Sequence, residues 1–138
     1  MIDVGGIYRT RAVDPGIPSA LVLVTDVDDT TRSVAVTLLS PDIELGSSVD
    51  LLVAGDDIGR AYDVLVQSDI FGPLPAGQLD RRVAAVSPNV LDALSAMRED
   101  RAIDHAVAGP PVLTREDPRW NFKIEELRRF HLLTTAGV

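Results

Sequence analysis

The sequence predicts a mainly β domain followed by helices, an α+β organisation with an antiparallel sheet. Two observations predict this class. The first two-thirds of the chain consists of short aliphatic runs separated by turn residues, with no helical pattern between them. The last third carries two segments with apolar residues at helical spacing, each preceded by residues that typically start a helix. A length of 138 residues indicates one domain, and because only 4% of the residues are aromatic, its core must be aliphatic.

Five or six short strands are predicted in the first part of the chain, at residues 7–10, 20–25, 33–40, 49–53, 61–67 and 78–86. The second of these is continuously apolar, which suits a strand buried on both faces, and residues 26–32 then form a polar hairpin loop. Residues 70–75 are expected to break regular structure, because Pro73 and Pro75 cannot donate to a β-ladder. Short strands without intervening helices favour an antiparallel barrel or sandwich over a parallel sheet.

Two helices are predicted after the strands. Ser87 and Pro88 supply an N-cap and a first-turn proline for a helix expected to run to about residue 106, before a Gly-Pro-Pro sequence. Asp117 and Pro118 start the second helix in the same way. The chain therefore divides into residues 1–108, the β domain with its helix, and residues 109–138, a Pro-rich linker with a C-terminal amphipathic helix.

The C-terminal helix carries an apolar stripe whose members recur at i, i+4, i+7 and i+10. They are Trp120, Ile124, Leu127 and Phe130. Such a stripe packs on its own domain or docks in the groove of a second subunit or another protein. Because the linker allows either geometry, the stripe is a candidate partner-binding surface.

The charge and composition narrow the function classes. The formal net charge is −8, and an acidic body repels phosphate backbones at long range, so general nucleic-acid or DNA binding is not expected. A local basic cleft could still hold a short single strand, and the acidity also fits a basic protein partner or simple solubility. The absence of cysteine excludes a disulfide framework and cysteine-ligated zinc. With no signal-peptide pattern and no long apolar run, a cytoplasmic protein without a membrane span is expected.

Motifs for nucleotide, metalloprotease and serine-hydrolase chemistry are missing from the sequence: there is no phosphate loop, GxGxxG, HExxH or GxSxG. The acidic run at 26–29 lacks the glycine and the bidentate glutamate of a calcium loop. We therefore expect neither a metal nor a cofactor.

Arginines and hydroxyl residues provide the strongest chemical candidates. Arg9 and Arg11 alternate along the first strand and its exit, so they are predicted to share a face, while Thr37 and Ser40 end the third strand. A guanidinium with nearby hydroxyls is the minimum set for binding a phosphodiester and stabilising charge on its oxygens. Ordinary surface polarity is the alternative. The adjacent Arg81 and Arg82 would contact a phosphate or an acidic peptide, or else lie on a solvated strand edge.

The order of these segments resembles the MazF/PemK toxins. The opening Val4-Gly-Gly-Ile-Tyr8 is similar to that family's first strand, and Ser19-Ala-Leu-Val-Leu-Val24 to its buried second strand. Further segments also match, and the last two resemble the closing half of both MazF and the related gyrase poison CcdB. They are residues 34–40, 62–69 and 79–87, so that the resemblance covers about residues 3–100.

The resemblance implies a small SH3-like antiparallel barrel with a C-terminal helix, usually a homodimer. It also implies a metal-independent endoribonuclease that cuts single-stranded RNA with the RNA's own 2′-hydroxyl as nucleophile, and whose partner is an antitoxin peptide. In the family, an Arg just before the second strand and a Thr or Ser after the third strand carry the cleavage.

The chain departs from the family at the positions that matter most. Ser19-Ala20 stands where the Arg-Pro pair is expected, and Asp69 replaces an Arg of the closing half. Ser40 holds the hydroxyl position, with Thr37 as a near alternative, and Arg9 or Arg11 would supply the charge from the neighbouring strand. The extra C-terminal helix belongs to neither family pattern.

Two hypotheses follow. In the first, the chain is an endoribonuclease with a rearranged site of Arg9, Arg11, Thr37 and Ser40, in which Ser19, Arg81 and Arg82 contact the substrate. In the second, the barrel has lost catalysis and serves as a binding module for a gyrase-like or antitoxin-like protein.

Overall fold

A computed structural model of the chain describes residues 2–12 and 19–135. The described residues form six strands: β1 (Gly6–Thr10), β2 (Leu21–Asp28), β3 (Ser33–Ser40), β4 (Asp50–Val53), β5 (Val64–Pro75) and β6 (Leu79–Ala85). They also form the helices α1 (Gly55–Ile58), α2 (Pro88–Arg98) and α3 (Pro118–Thr135), and two short 3-10 turns at Ile43–Leu45 and Ala76–Gln78. No helix within the described ranges has the length and apolar character needed to cross a bilayer.

The strands form one antiparallel sheet in the order β4-β5-β3-β2-β1-β6. Both faces of the sheet are buried. Val22 and Val24 of β2 belong to one core cluster, whereas Leu21 and Leu23 belong to the other, so this strand is covered on both sides as its apolar run predicts. The helix α2 packs on the cluster of Leu21 and Leu23, and α3 packs on the opposite one. The predicted class, a mainly β antiparallel fold with C-terminal helices, is confirmed.

The prediction that residues 70–75 break the sheet is wrong. The strand β5 continues to Pro75, and Pro73 and Pro75 lie opposite Ala35 and Ser33 of β3. The other neighbour of β5, strand β4, pairs only with residues 64–67, so this half of β5 is a sheet edge. Proline is tolerated there because the missing N–H would have no strand to bond.

Two predicted boundaries also need correction. The strand β2 runs to Asp28, so the hairpin loop is shorter than residues 26–32. The helix α2 ends at Arg98 rather than near residue 106. Its chain turns at Asp100, which has a left-handed φ of 55°, and the N–H of Arg101 closes the end by bonding the carbonyl of Ala96 at 2.8 Å.

The strand β5 contains a bulge whose side chains contact helix α3. Thr37 of β3 pairs with Phe71, whereas Leu39 pairs with Val66, so β5 carries extra residues between these two pairs. The side chains of the bulge reach α3 through Gln67 and Asp69. Beyond the bulge the ladder resumes at Phe71.

Helix α3 is part of the core. Phe130 is 7% exposed and Leu133 is 2% exposed, and both belong to the cluster that covers Val22 and Val36. The Phe130 ring crosses β5 at Gly72, where an added Cβ would lie 3.2 Å from its Cε2. Phe130 is therefore inaccessible to a partner protein, which corrects its inclusion in the partner-binding stripe.

A polar network anchors the same helix to β4 and β5. Lys123 donates from Nζ to Asp50 Oδ1 at 2.8 Å, to Gln67 Oε1 at 2.9 Å and to Asp69 Oδ1 at 3.0 Å. One turn further, Glu126 accepts a hydrogen bond from Gln67 Nε2 at 3.0 Å. Asp50, Gln67 and Glu126 are buried, so each needs these partners to offset its loss of water.

The first prediction concerns the apolar anchor. Replacing Phe130 by Ala should lower the free energy of unfolding by about 3 kcal/mol, because a buried ring is lost and a cavity remains between α3 and β5. Leu132→Ala on the same helix, at a residue 41% exposed, should change it by no more than about 0.5 kcal/mol. Urea unfolding followed by circular dichroism measures both, and equal effects of the two changes would contradict the packing described.

The second prediction concerns the polar anchor. Lys123→Met keeps the aliphatic stem but leaves the Asp50 carboxylate, whose side chain is 0% exposed, without its cation. Stability should fall by about 3 kcal/mol, the usual cost of a buried charge that loses its partner. The matched control is Arg128→Met, which removes an exposed pair with Glu125 and should cost no more than about 0.5 kcal/mol. A Lys123→Met protein as stable as the control would show that the network does not hold the helix.

Candidate functional site

Arg9 lies where the sheet brings the start of β2 beside β1. It pairs with Leu21 in the ladder, and its Nη1 donates to Ser19 Oγ at 3.4 Å. Ser19 lies two residues before the start of β2 and holds the position at which the MazF/PemK resemblance expects an arginine. The Arg9 guanidinium therefore lies beside Ser19, the position at which this chain lacks the expected arginine.

Arg9 also faces Arg81 directly across the β1–β6 ladder. Like charges opposite each other in a sheet destabilise it unless an anion lies between them. Over residues 2–12 and 19–135, no carboxylate forms an ion pair with either arginine. The pair therefore concentrates positive charge at one edge of an otherwise acidic protein.

The other two predicted arginines of this edge have acidic neighbours. Arg11 donates from Nε to the Gly77 carbonyl at 3.0 Å and lies 3.5 Å from Asp80. Arg82 lies 4.0 Å from Asp3. All of these side chains are about half exposed, so the ion pairs are weak and exchange readily with water or with another anion.

The two predicted hydroxyls do not join the arginines in an open site. Thr37 is 0% exposed and accepts a hydrogen bond from Arg98 Nη2 at 2.7 Å. Ser40 is 2% exposed, and its Oγ accepts the N–H of Asp42 at 3.1 Å. Both hydroxyls are thus buried and bonded within the protein, and neither contacts Arg9 or Arg11.

Arg98 and Phe71 form a cluster that the sequence did not reveal. The Arg98 guanidinium lies over the Phe71 ring, 4.2 Å from its centroid, and its Nε donates to the Ser68 carbonyl at 3.0 Å. Burial lowers the pKa of Arg98 from its ordinary value, and the charge of Asp69 opposes that shift. Phe71 itself is 59% exposed. The contacts join residues far apart in sequence, so no local pattern could have indicated them.

This cluster and Arg9 share one face of the sheet. Ladder partners place Phe71, Thr37, Leu23 and Ile7 in one row across four strands, and Arg9 follows two residues along β1. Helix α2 packs over Ile7 and Leu23 in the middle of this row. The face that α2 covers therefore has an arginine edge on one side and the Phe71–Arg98 pair on the other.

The rest of the tail stripe lines a groove of about 410 Å³ on α3. Trp120, Ile124 and Leu127 are 37%, 44% and 47% exposed, unlike the buried Phe130. The opposite wall comes from the preceding segments and includes the apolar residues Leu45, Val49, Pro111 and Val112, together with Ser47 and Ser48. The groove is thus mainly apolar, with the charged residues Asp69, Arg119 and Lys123 also in its lining, and it is open to solvent.

Comparison with known proteins identifies a solved structure with a similar fold. No protein-family model matches the sequence, and no curated protein matches it either. A solved structure of an endoribonuclease in complex with its cognate antitoxin, from a mycobacterial species, matches with a TM-score of 0.52 at 16% identity. The match covers 72% of this chain and 93% of that chain, so nearly the whole neighbour corresponds to part of this protein. The chain therefore has the barrel fold of that endoribonuclease, as the MazF/PemK resemblance predicts.

Proposed function

We propose that this chain is a toxin-type endoribonuclease that cuts single-stranded RNA without a metal ion, with Arg9 as the phosphate-binding arginine. One observation carries the proposal: the Arg9 guanidinium reaches Ser19, the position where the resembling family holds its own catalytic arginine. The shared fold supports it, since the neighbour of known structure is an endoribonuclease. Arg81, opposite Arg9, provides a second positive charge at the same edge.

The chemistry needs only the RNA, water and these side chains. The 2′-oxygen forms a bond to the adjacent phosphorus while the bond from phosphorus to the 5′-oxygen breaks. The 2′-hydroxyl gives its proton to water and the leaving 5′-oxygen takes one from water, so protons balance and a 2′,3′-cyclic phosphate and a 5′-hydroxyl result. Arg9 and Arg81 stabilise the negative charge that builds on the phosphoryl oxygens in the transition state.

The overall charge of the protein restricts the substrate to a short segment. With a net charge of −8, the protein repels a long phosphate backbone, so attraction is confined to local arginine clusters such as the arginine edge. Two or three phosphates of a flexible single strand can approach that edge, whereas a duplex would bring many more phosphates toward acidic surface.

A second function is favoured by a separate observation, the exposed apolar groove on α3. Trp120, Ile124 and Leu127 present an open stripe of the kind that receives an amphipathic helix or an extended peptide. We propose an antitoxin peptide as its occupant, with a homodimer in the cytoplasm as the working form. The neighbour of known structure was solved with its antitoxin, which supports a partner of this class. The division of the chain into residues 1–108 and 109–138 stays a prediction. The groove is lined by side chains from both of these parts.

The third prediction tests the cleavage. Purified protein should cut a long single-stranded RNA at the same rate with and without EDTA, leaving cyclic phosphate ends. Arg9→Ala should slow cleavage about 100-fold, the usual cost of losing one donor to a developing oxyanion. Arg128→Ala, which removes an exposed arginine of α3, should leave the rate unchanged.

The opposite results would decide against this function. RNA that stays intact at high protein concentration, or an Arg9→Ala protein that cuts as fast as the Arg128→Ala control, removes the proposed catalytic role. If the intact RNA is accompanied by tight binding of an antitoxin peptide, the binding function alone stands.

A further inference from the structure

We propose that Phe71 and Arg98 form a stacking site for one nucleotide of a single-stranded RNA, with the base on the Phe71 ring and its phosphate at the Arg98 guanidinium. The inference rests on the proposed function and names a part of the substrate contact that lies away from the arginine edge. It is carried by the exposure of the ring, the fixed geometry of the cation and the chemistry of the surrounding face.

The ring of Phe71 is exposed where a strand residue of this kind is usually covered. At 59% exposure it is the most exposed aromatic side chain of the described residues, whereas its neighbour Ile70 is 1% exposed. One side of the ring meets the Arg98 guanidinium. The exposed part of the ring is an aromatic surface of the kind on which bases of a single strand stack.

Arg98 is held in place by acceptors that carry no charge. Its Nε donates to the Ser68 carbonyl and its Nη2 donates to the Thr37 hydroxyl. These two neutral acceptors fix the guanidinium in place. Asp69, the acid whose charge acts on Arg98, forms its ion pair with Lys123 at 3.0 Å rather than with Arg98. A positioned cation that is not neutralised by its own bonds favours an anionic ligand, and its rigidity lowers the ordering cost of binding.

The residues around Phe71 are better suited to bind a nucleotide than to bind a partner protein. The exposed residues that alternate along this part of β5 are Asp69, Phe71, Pro73 and Pro75, so Phe71 is a single aromatic between an acid and two prolines. A stable protein interface needs a contiguous apolar centre with many covered residues. One ring beside one guanidinium instead matches the stacking and phosphate contacts by which proteins hold unpaired bases.

Nuclear magnetic resonance of the full chain tests the site without any cleavage assay. Adenosine 5′-monophosphate should shift the ring signals of Phe71 and the Nε–H signal of Arg98. Ribose 5-phosphate, which lacks the base, should shift Arg98 but leave Phe71 nearly unchanged. If neither compound moves either signal, or if the Phe71 signals move only with protein concentration, as when a second copy covers the ring, the proposal is overturned.

Variants link the site to RNA. Phe71→Ala should weaken binding of a short fluorescent single-stranded RNA about tenfold, while Phe71→Tyr, which keeps the stacking ring, should bind like the unchanged protein. Tyr62→Ala is the matched control, since Tyr62 is another exposed aromatic, 40% exposed, and its loss should have no effect.

The two proposals fail in different ways. If Phe71→Ala binds RNA normally while Arg9→Ala does not, the stacking site falls and the arginine edge stands. If adenosine 5′-monophosphate shifts Phe71 and Arg98 but RNA is never cut, the stacking site stands and the catalytic proposal falls.

Discussion

The bulge in β5 is the constraint on which the rest of the structure depends. Between the pairs Thr37–Phe71 and Leu39–Val66, β5 carries more residues than β3, and the extra length must leave the ladder. Gln67 and Asp69 meet Lys123 of α3 there, and Phe71 re-enters the ladder on the face that α2 covers. A single irregularity in one strand thus fixes a helix on each side of the sheet.

The polar network at the bulge gives the tail helix one position rather than several. An apolar helix face alone would tolerate sliding along the sheet, whereas Lys123 must meet three oxygen acceptors at once and Glu126 must meet Gln67. The buried carboxylates Asp50 and Glu126 make every other register costly. This fixed register leaves Trp120, Ile124 and Leu127 outside the core, where they line the open groove.

Local features of the fold could be predicted from the sequence. Residues 33–40 were predicted as a strand with the bounds that β3 has, because an aliphatic run ended by a proline is a local signal. Asp117 and Pro118 likewise predict the start of α3. The prediction failed where distant context decides: β5 passes through Pro73 because no strand pairs on that side, and α2 ends early because Asp100 adopts a left-handed turn.

The candidate site was only partly predictable for the same reason. The resemblance singled out Ser19 as a vacant arginine position and Arg9 as its replacement, and the structure brings these two side chains into contact. The burial of Thr37 and Ser40 depends on how β3 sits between two other strands, which alternation alone does not show. The contact of Arg98 with Phe71 joins the end of a helix to the end of a bulge, and its residues look ordinary when taken separately.

The most direct test of the account is a crystal structure of the full chain with a short single-stranded RNA whose 2′-hydroxyls are methylated, so that it binds but cannot be cut. The account predicts a phosphate within hydrogen-bond distance of both Arg9 and Arg81, and an unpaired base stacked on the Phe71 ring. An RNA bound on the α3 side of the sheet, with the arginine edge empty, would contradict it.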